Sequence, residues 1–128
     1  MKLSLLVLGE TLAICSLKRD SPLPDWATSS DFFSITRTYD ELSIVCPQDK
    51  VPAGVDINKN WRCLKVQGPL GFSITGILAS LSMPLASEGV SIFVFSSYDT
   101  DHIMVKQYEL EKAVEVLQKA GHTVQYQK

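Results

Sequence analysis

The sequence predicts an α+β fold of two small units, each an antiparallel sheet with its helices on one face. Three observations carry that reading. The C-terminal half alternates strand-like and helix-like stretches in the order β-α-β-β-α-β. The N-terminal half repeats much of that order with shorter helices. Composition permits a packed core, since of 128 residues 45% are hydrophobic and 20% charged, near the globular average.

In the C-terminal half, WRCLKVQ, from Trp61 to Gln67, reads as a strand, and the turn-rich GPLGFS follows it. Ile74, Ile77, Leu78, Leu81 and Leu85 recur at helical spacing and predict one apolar stripe. Pro84 removes one backbone hydrogen bond and is expected to bend this helix, and Gly89 to end it. VSIFVF, from Val90 to Phe95, suits a strand buried on both faces, with SSYDTD as the turn and HIMVK as the returning strand. Leu110, Ala113, Val114 and Leu117 mark a second helix, ended by Gly121, and TVQYQ closes the sheet as an edge strand. This order is the ferredoxin-like arrangement.

In the N-terminal half, Leu3 to Leu8 and Thr11 to Leu17 read as strands around a turn at Gly9-Glu10. DSPLPDWATSS holds at most a short helix. Phe32 to Thr38 and Leu42 to Cys46 form a strand pair, and Pro47 opens a second short helix. A slide of 60 residues brings Phe33 onto Phe93, Ile35 onto Phe95, Glu41 onto Asp101 and Val45 onto Val105, a sparse repeat. GVDINKN, residues 54–60, has linker composition. The expected division is therefore a reduced unit over 1–58 and a full unit over 59–128, folding together because each core alone is small.

Charge and motifs exclude several functions. Twelve Lys and Arg against fourteen Asp and Glu give a net charge of −2, without the basic stripe that nucleic acid or an anionic membrane surface demands. HIMVK lacks the basic and aromatic pattern by which an RNA-binding ferredoxin-like domain stacks bases. Three widely spaced cysteines, Cys15, Cys46 and Cys63, form no disulfide framework and are read as buried apolar packing in a reducing compartment. DTDH, residues 99–102, supplies too few converging ligands for a metal, and no nucleophile elbow exists. No catalysis, metal or cofactor is expected. MKLSLLVL imitates a secretory leader, but Glu10 interrupts it, and no apolar run approaches the eighteen residues of a membrane span. The cytoplasm is the expected location.

GPLGFSITGILASLSMPLASEGVSIFVFSSYDTDHIMV, residues 68–105, resembles the ACT domain family, and most closely its small bacterial tandem-ACT proteins, the eukaryotic cytosolic arginine sensor and aspartokinase regulatory domains. LAICSLKRDSPLPDW, FFSITRT and ELSIVCP agree with the bacterial members. His102 departs from the pattern, standing where that group carries an aromatic residue. The resemblance implies a regulatory module without catalysis, two ACT units in tandem, and an amino-acid ligand lodged where ACT units pair side by side. A homodimer and a regulated partner protein follow from the same resemblance. By position it implies contacts from Gly71, Ile74, Ile77, Ser97, Tyr98, Thr100 and Asp101.

The chemistry of these residues fits a zwitterion. Gly68, Gly71 and Gly76 let backbone approach a ligand closely along a loop that also includes Phe72. Bare amides at the following helix start, around Ser73, Ile74, Thr75, Gly76 and Ile77, favour a carboxylate, with the hydroxyls of Ser73 and Thr75 as further donors. Asp99 and Asp101, with carbonyls of Ser97 and Tyr98, offer acceptors to an ammonium or a cationic side chain. Each residue also has a structural use: glycines for a tight connection, Ile74 and Ile77 for the core, Ser73 for a helix cap, the aspartates for a turn. A ligand-free assembly module is the alternative function, because a pairing surface needs the same apolar strands and an open edge.

Overall fold

Eight strands and two α-helices form the regular structure of the computed structural model, which describes residues 1–68 and 75–128. The strands are β1 (Ser4–Val7), β2 (Leu12–Leu17), β3 (Ser34–Arg37), β4 (Leu42–Pro47), β5 (Asp56–Val66), β6 (Phe93–Ser96), β7 (Asp101–Lys106) and β8 (Thr123–Tyr126). The helices are α1 (Ile77–Ser87) and α2 (Leu110–Lys119), and short 3₁₀ turns cover Asp25–Ala27, Gln48–Lys50 and Gln107–Glu109. The described chain divides into two units, Met1–Gly9 with Arg62–Lys128, and Glu10–Trp61. The division expected after residue 58 differs at the N-terminus, where β1 joins the C-terminal unit through its pairing.

The C-terminal unit orders its strands β8-β1-β5-β7-β6. β1 runs antiparallel to β5, with Leu5 opposite Val66, and parallel to β8, with Leu5 opposite Val124. The βαββαβ order holds, but β1 enters between its first and last strands, and the β1–β8 pair is parallel rather than antiparallel. SLLV alternates so that Leu5 and Val7 turn to the helices. There they join Leu64, Val66, Ile103 and Val105 against Ile77, Leu81 and Leu85 of α1 and Ala113, Val114 and Leu117 of α2. Leu78, expected on the same stripe, is 43% exposed. The helix begins at Ile77, so the row at i, i+4 and i+8 faces the sheet and Leu78 falls to its flank. β6 is shorter than VSIFVF suggested and only half-buried, because among the described strands it pairs with β7 alone and forms the edge.

Both helices end in a Schellman motif. After α1, Gly89 (φ 74°) gives its N–H to Ala86 O and Val90 gives its own to Leu85 O, with Val90 and Leu85 both in the core. After α2, Gly121 (φ 100°) and His122 repeat this with Gln118 and Leu117.

The N-terminal unit orders its strands β3-β4-β2-β5, using the first half of β5. Its core is Ala13, Cys15, Leu42, Ile44 and Cys46, with Ala27 from the 3₁₀ turn standing in place of a helix. The helices are reduced as expected. From Asp56 on, the linker expected over 54–60 is instead the start of β5, with Ile57 opposite Cys15 packing on this core. Polar DINKN hid the strand, because one of its faces is exposed. A bulge opposite Leu12–Ile14 is absorbed by Asn60 (φ 66°), whose amide donates to Gln48 Oε1 at 2.6 Å while its own Oδ1 accepts from Gln48 Nε2 at 3.1 Å.

The internal repeat is real but lies one residue from the slide of 60. Ser34 pairs with Val45 and Phe93 with Met104, so the two hairpins superpose at 59. That offset aligns Thr38-Tyr39-Asp40-Glu41 with Ser97-Tyr98-Asp99-Thr100. Thr38 N–H donates to Glu41 O, and Ser97 N–H to Thr100 O, each at 2.9 Å. A one-residue slip would have turned every side chain to the wrong face.

Candidate functional site

Of the expected site residues, Gly71, Phe72, Ser73 and Ile74 lie outside the described residues. Thr75 and Gly76 are exposed at the entrance of α1, whose N-cap is Gly76 in the left-handed conformation (φ 79°). Glycine takes that conformation without the strain a Cβ brings. Among the described residues no side chain caps the helix, and no acidic residue stands in its first turn, so no carboxylate of the helix itself offsets its positive end. The first full helical bond runs from Ser80 N–H to Gly76 O at 2.9 Å, and among the described residues nothing fills the space beside the Gly76 Cα. Ile77 is 7% exposed and belongs to the core, so its side chain serves packing.

The second group is the β6–β7 turn. Thr100 is buried and its hydroxyl donates to Val66 O at 2.6 Å, which ties the turn to the end of β5, where the loop toward α1 departs. Ser96 Oγ donates to Asp101 Oδ1 at 2.5 Å and holds that half-buried carboxylate. Ser97 Oγ lies 3.4 Å from the Thr100 amide that donates to it. Tyr98 is 81% exposed at the tip, as Tyr39 is in the equivalent turn. The turn and the root of the α1 loop thus share one end of the sheet. Asp101 stays an acceptor there, and Ser96, which the sequence reading did not name, orients it.

His102, the departure from the family pattern, lies on β7 opposite Phe95, their rings stacked at 4.8 Å and 1°. Burial first, then the positive charge of Lys65, hold its pKa below the ordinary 6.5, against a smaller opposing pull from Asp101. The ring is therefore neutral near pH 7 and fills the aromatic position. Cys15, Cys46 and Cys63 form no disulfide with one another and are buried, as expected. Cys15 is pushed well above the ordinary thiol range by its hydrogen bond with Cys46 and by burial. Among the described residues no cluster of metal-ligating side chains occurs, and no helix is long and apolar enough to cross a membrane.

Comparison with known proteins adds five findings. A solved structure of a protein from Agrobacterium tumefaciens superposes with a TM-score of 0.94 at 41% identity, covering 100% of this chain and 96% of that one. The rat protein named cytosolic arginine sensor for mTORC1 subunit 1 is 32% identical over 101 residues, 73% of this chain and 30% of the sensor. The chain thus spans about a third of the length of this curated relative. Clostridium acetobutylicum aspartate kinase shares the fold, with a TM-score of 0.63 at 16% identity over 88% of this chain and 33% of that one. A model of an N-terminal domain matches residues 10–54, and the model described as ACT domain matches residues 56–119. With half of its length under that model and the βαββαβ order of its C-terminal unit, the chain belongs to the ACT domain family.

Proposed function

We propose that the chain is a regulatory protein that binds an amino acid, without catalysis of its own. The α-carboxylate meets the amides that open α1 at Gly76 and Ile77, and the cationic end meets the Ser97–Asp101 turn. The observation that carries this reading is the start of α1, a positive helix end with no acidic residue in its first turn, together with the turn that Thr100 ties to the end of β5. Similarity to a protein named as an arginine sensor supports an amino acid over other anions. A neighbouring ACT unit closes the site, with a homodimer as the assembly and the cytosol as the location. The ligand acts by favouring one arrangement of units over another, which a regulated partner protein then reads.

A thermal-shift panel of the twenty amino acids, with light scattering for mass, tests the reading. At a hundredfold excess over its dissociation constant a ligand stabilises by about 2.7 kcal/mol. That raises the melting temperature by roughly 8–14 °C. If no amino acid moves the transition at millimolar concentration, the ligand reading fails and a ligand-free assembly role replaces it.

A further inference from the structure

Proline at position 84 has no N–H, so the carbonyl of Ser80, four residues earlier, lacks the donor a regular helix supplies. That carbonyl lies 3.1 Å from Nε2 of His122. The other nitrogen of the same ring accepts, with the backbone N–H of Leu3 donating to Nδ1 at 3.1 Å. An amide can only donate, so Nδ1 bears no proton and Nε2 holds the one given to Ser80. The ring is 5% exposed. Its backbone is fixed independently, since His122 N–H donates to Leu117 O in the α2 cap and Thr123 N–H donates to Leu3 O where β8 meets β1.

We propose that His122 is a positioning residue for α1, one neutral ring tying the carbonyl that Pro84 exposes to the start of β1 and the end of α2. Three elements far apart in sequence meet in its two hydrogen bonds. The tie sets where α1 sits on the sheet, and hence where its N-terminus presents amides. That functional consequence rests on the ligand reading above, whereas the tie itself does not. Removing the ring's nitrogens leaves the Ser80 carbonyl of α1 and the Leu3 amide just before β1 without these partners.

The test uses the full chain without ligand. His122→Gln keeps a donor and an acceptor at similar reach, and His122→Phe keeps a ring with neither. Solvent exchange of the Leu3 amide should quicken about tenfold in His122→Phe, the scale of one lost hydrogen bond, and stay near wild type in His122→Gln. Nitrogen-15 correlation of the wild-type ring should show the Nε2–H tautomer. Pro84→Ala returns an amide donor to Ser80, so His122→Phe should cost less in that background in a double-mutant cycle. Unchanged Leu3 exchange in His122→Phe, an Nδ1–H tautomer, or equal cost in both backgrounds overturns the assignment. Should His122→Phe fail to fold, the wild-type tautomer and Leu3 exchange in His122→Gln decide. A chain that passes these tests but binds no amino acid refutes the ligand reading alone.

Discussion

Thr100→Val isolates the contact that holds the β6–β7 turn to β5. Thr100 is 5% exposed and its hydroxyl donates to Val66 O at 2.6 Å. Valine has nearly the same shape, so the substitution opens no cavity and removes one buried hydrogen bond. Loss of that bond costs about 1 kcal/mol, and stripping a donor from a buried carbonyl can add as much again. The expected sum is about 1–2 kcal/mol. For a chain of this size that lowers the melting temperature by roughly 3–10 °C. Urea unfolding should show a lower midpoint at unchanged slope, because the surface exposed on unfolding is the same. Thr100→Ser, which restores the hydroxyl, should recover most of the loss. A Thr100→Val protein within about 0.5 kcal/mol of wild type would refute the claim that this bond fastens the turn.

Four further outcomes are expected. His102 is held below its ordinary pKa of 6.5, so the unfolded chain takes up a proton there that the folded chain refuses. Its contribution is present above about pH 6.5 and lost as pH falls below it, and His102→Phe should flatten that part of a urea-stability profile between pH 7.5 and 5. Thiol labelling by a chromogenic disulfide should find Cys15, Cys46 and Cys63 unreactive until denaturant is added, since all three are buried and Cys15 is held as a thiol. Gly89→Ala should destabilise by about 1–2 kcal/mol in thermal unfolding through backbone strain at φ 74°, with open space around the new methyl. Asp101→Ala should weaken a confirmed amino-acid ligand at least about tenfold by calorimetry, the scale of one charge-assisted hydrogen bond, and unchanged affinity removes that carboxylate from the site.

Periodicity made the C-terminal unit readable. Leu81 and Leu85 on α1, Ala113, Val114 and Leu117 on α2, and the glycines after each helix state their roles in the letters alone. β5 was harder because Asp56 to Asn60 present mostly polar side chains, and only Ile57 marks the buried face. The partner of β1 is set by contacts with β5 and β8 that no local pattern announces. The repeat was misplaced by one residue because large apolar side chains were matched before the Tyr-Asp pair of each turn, where the backbone bonds are the same. At the candidate site the turn residues were legible from their types. Ser96 was missed because a serine at a strand end has no signature beyond its partner. His122 was missed because its role depends on a proline 38 positions away that leaves a carbonyl bare.

The place of β1 between β5 and β8 bears on when each unit can be completed during synthesis. Ser4 pairs with Thr123, so the C-terminal unit closes a loop spanning nearly the whole chain. The unit from Glu10 to Trp61 carries all its strands within some fifty residues and can form while the ribosome is still translating the helices. High contact order makes the other unit the slow one, and until β8 emerges, one edge of β1 stays open to any strand nearby.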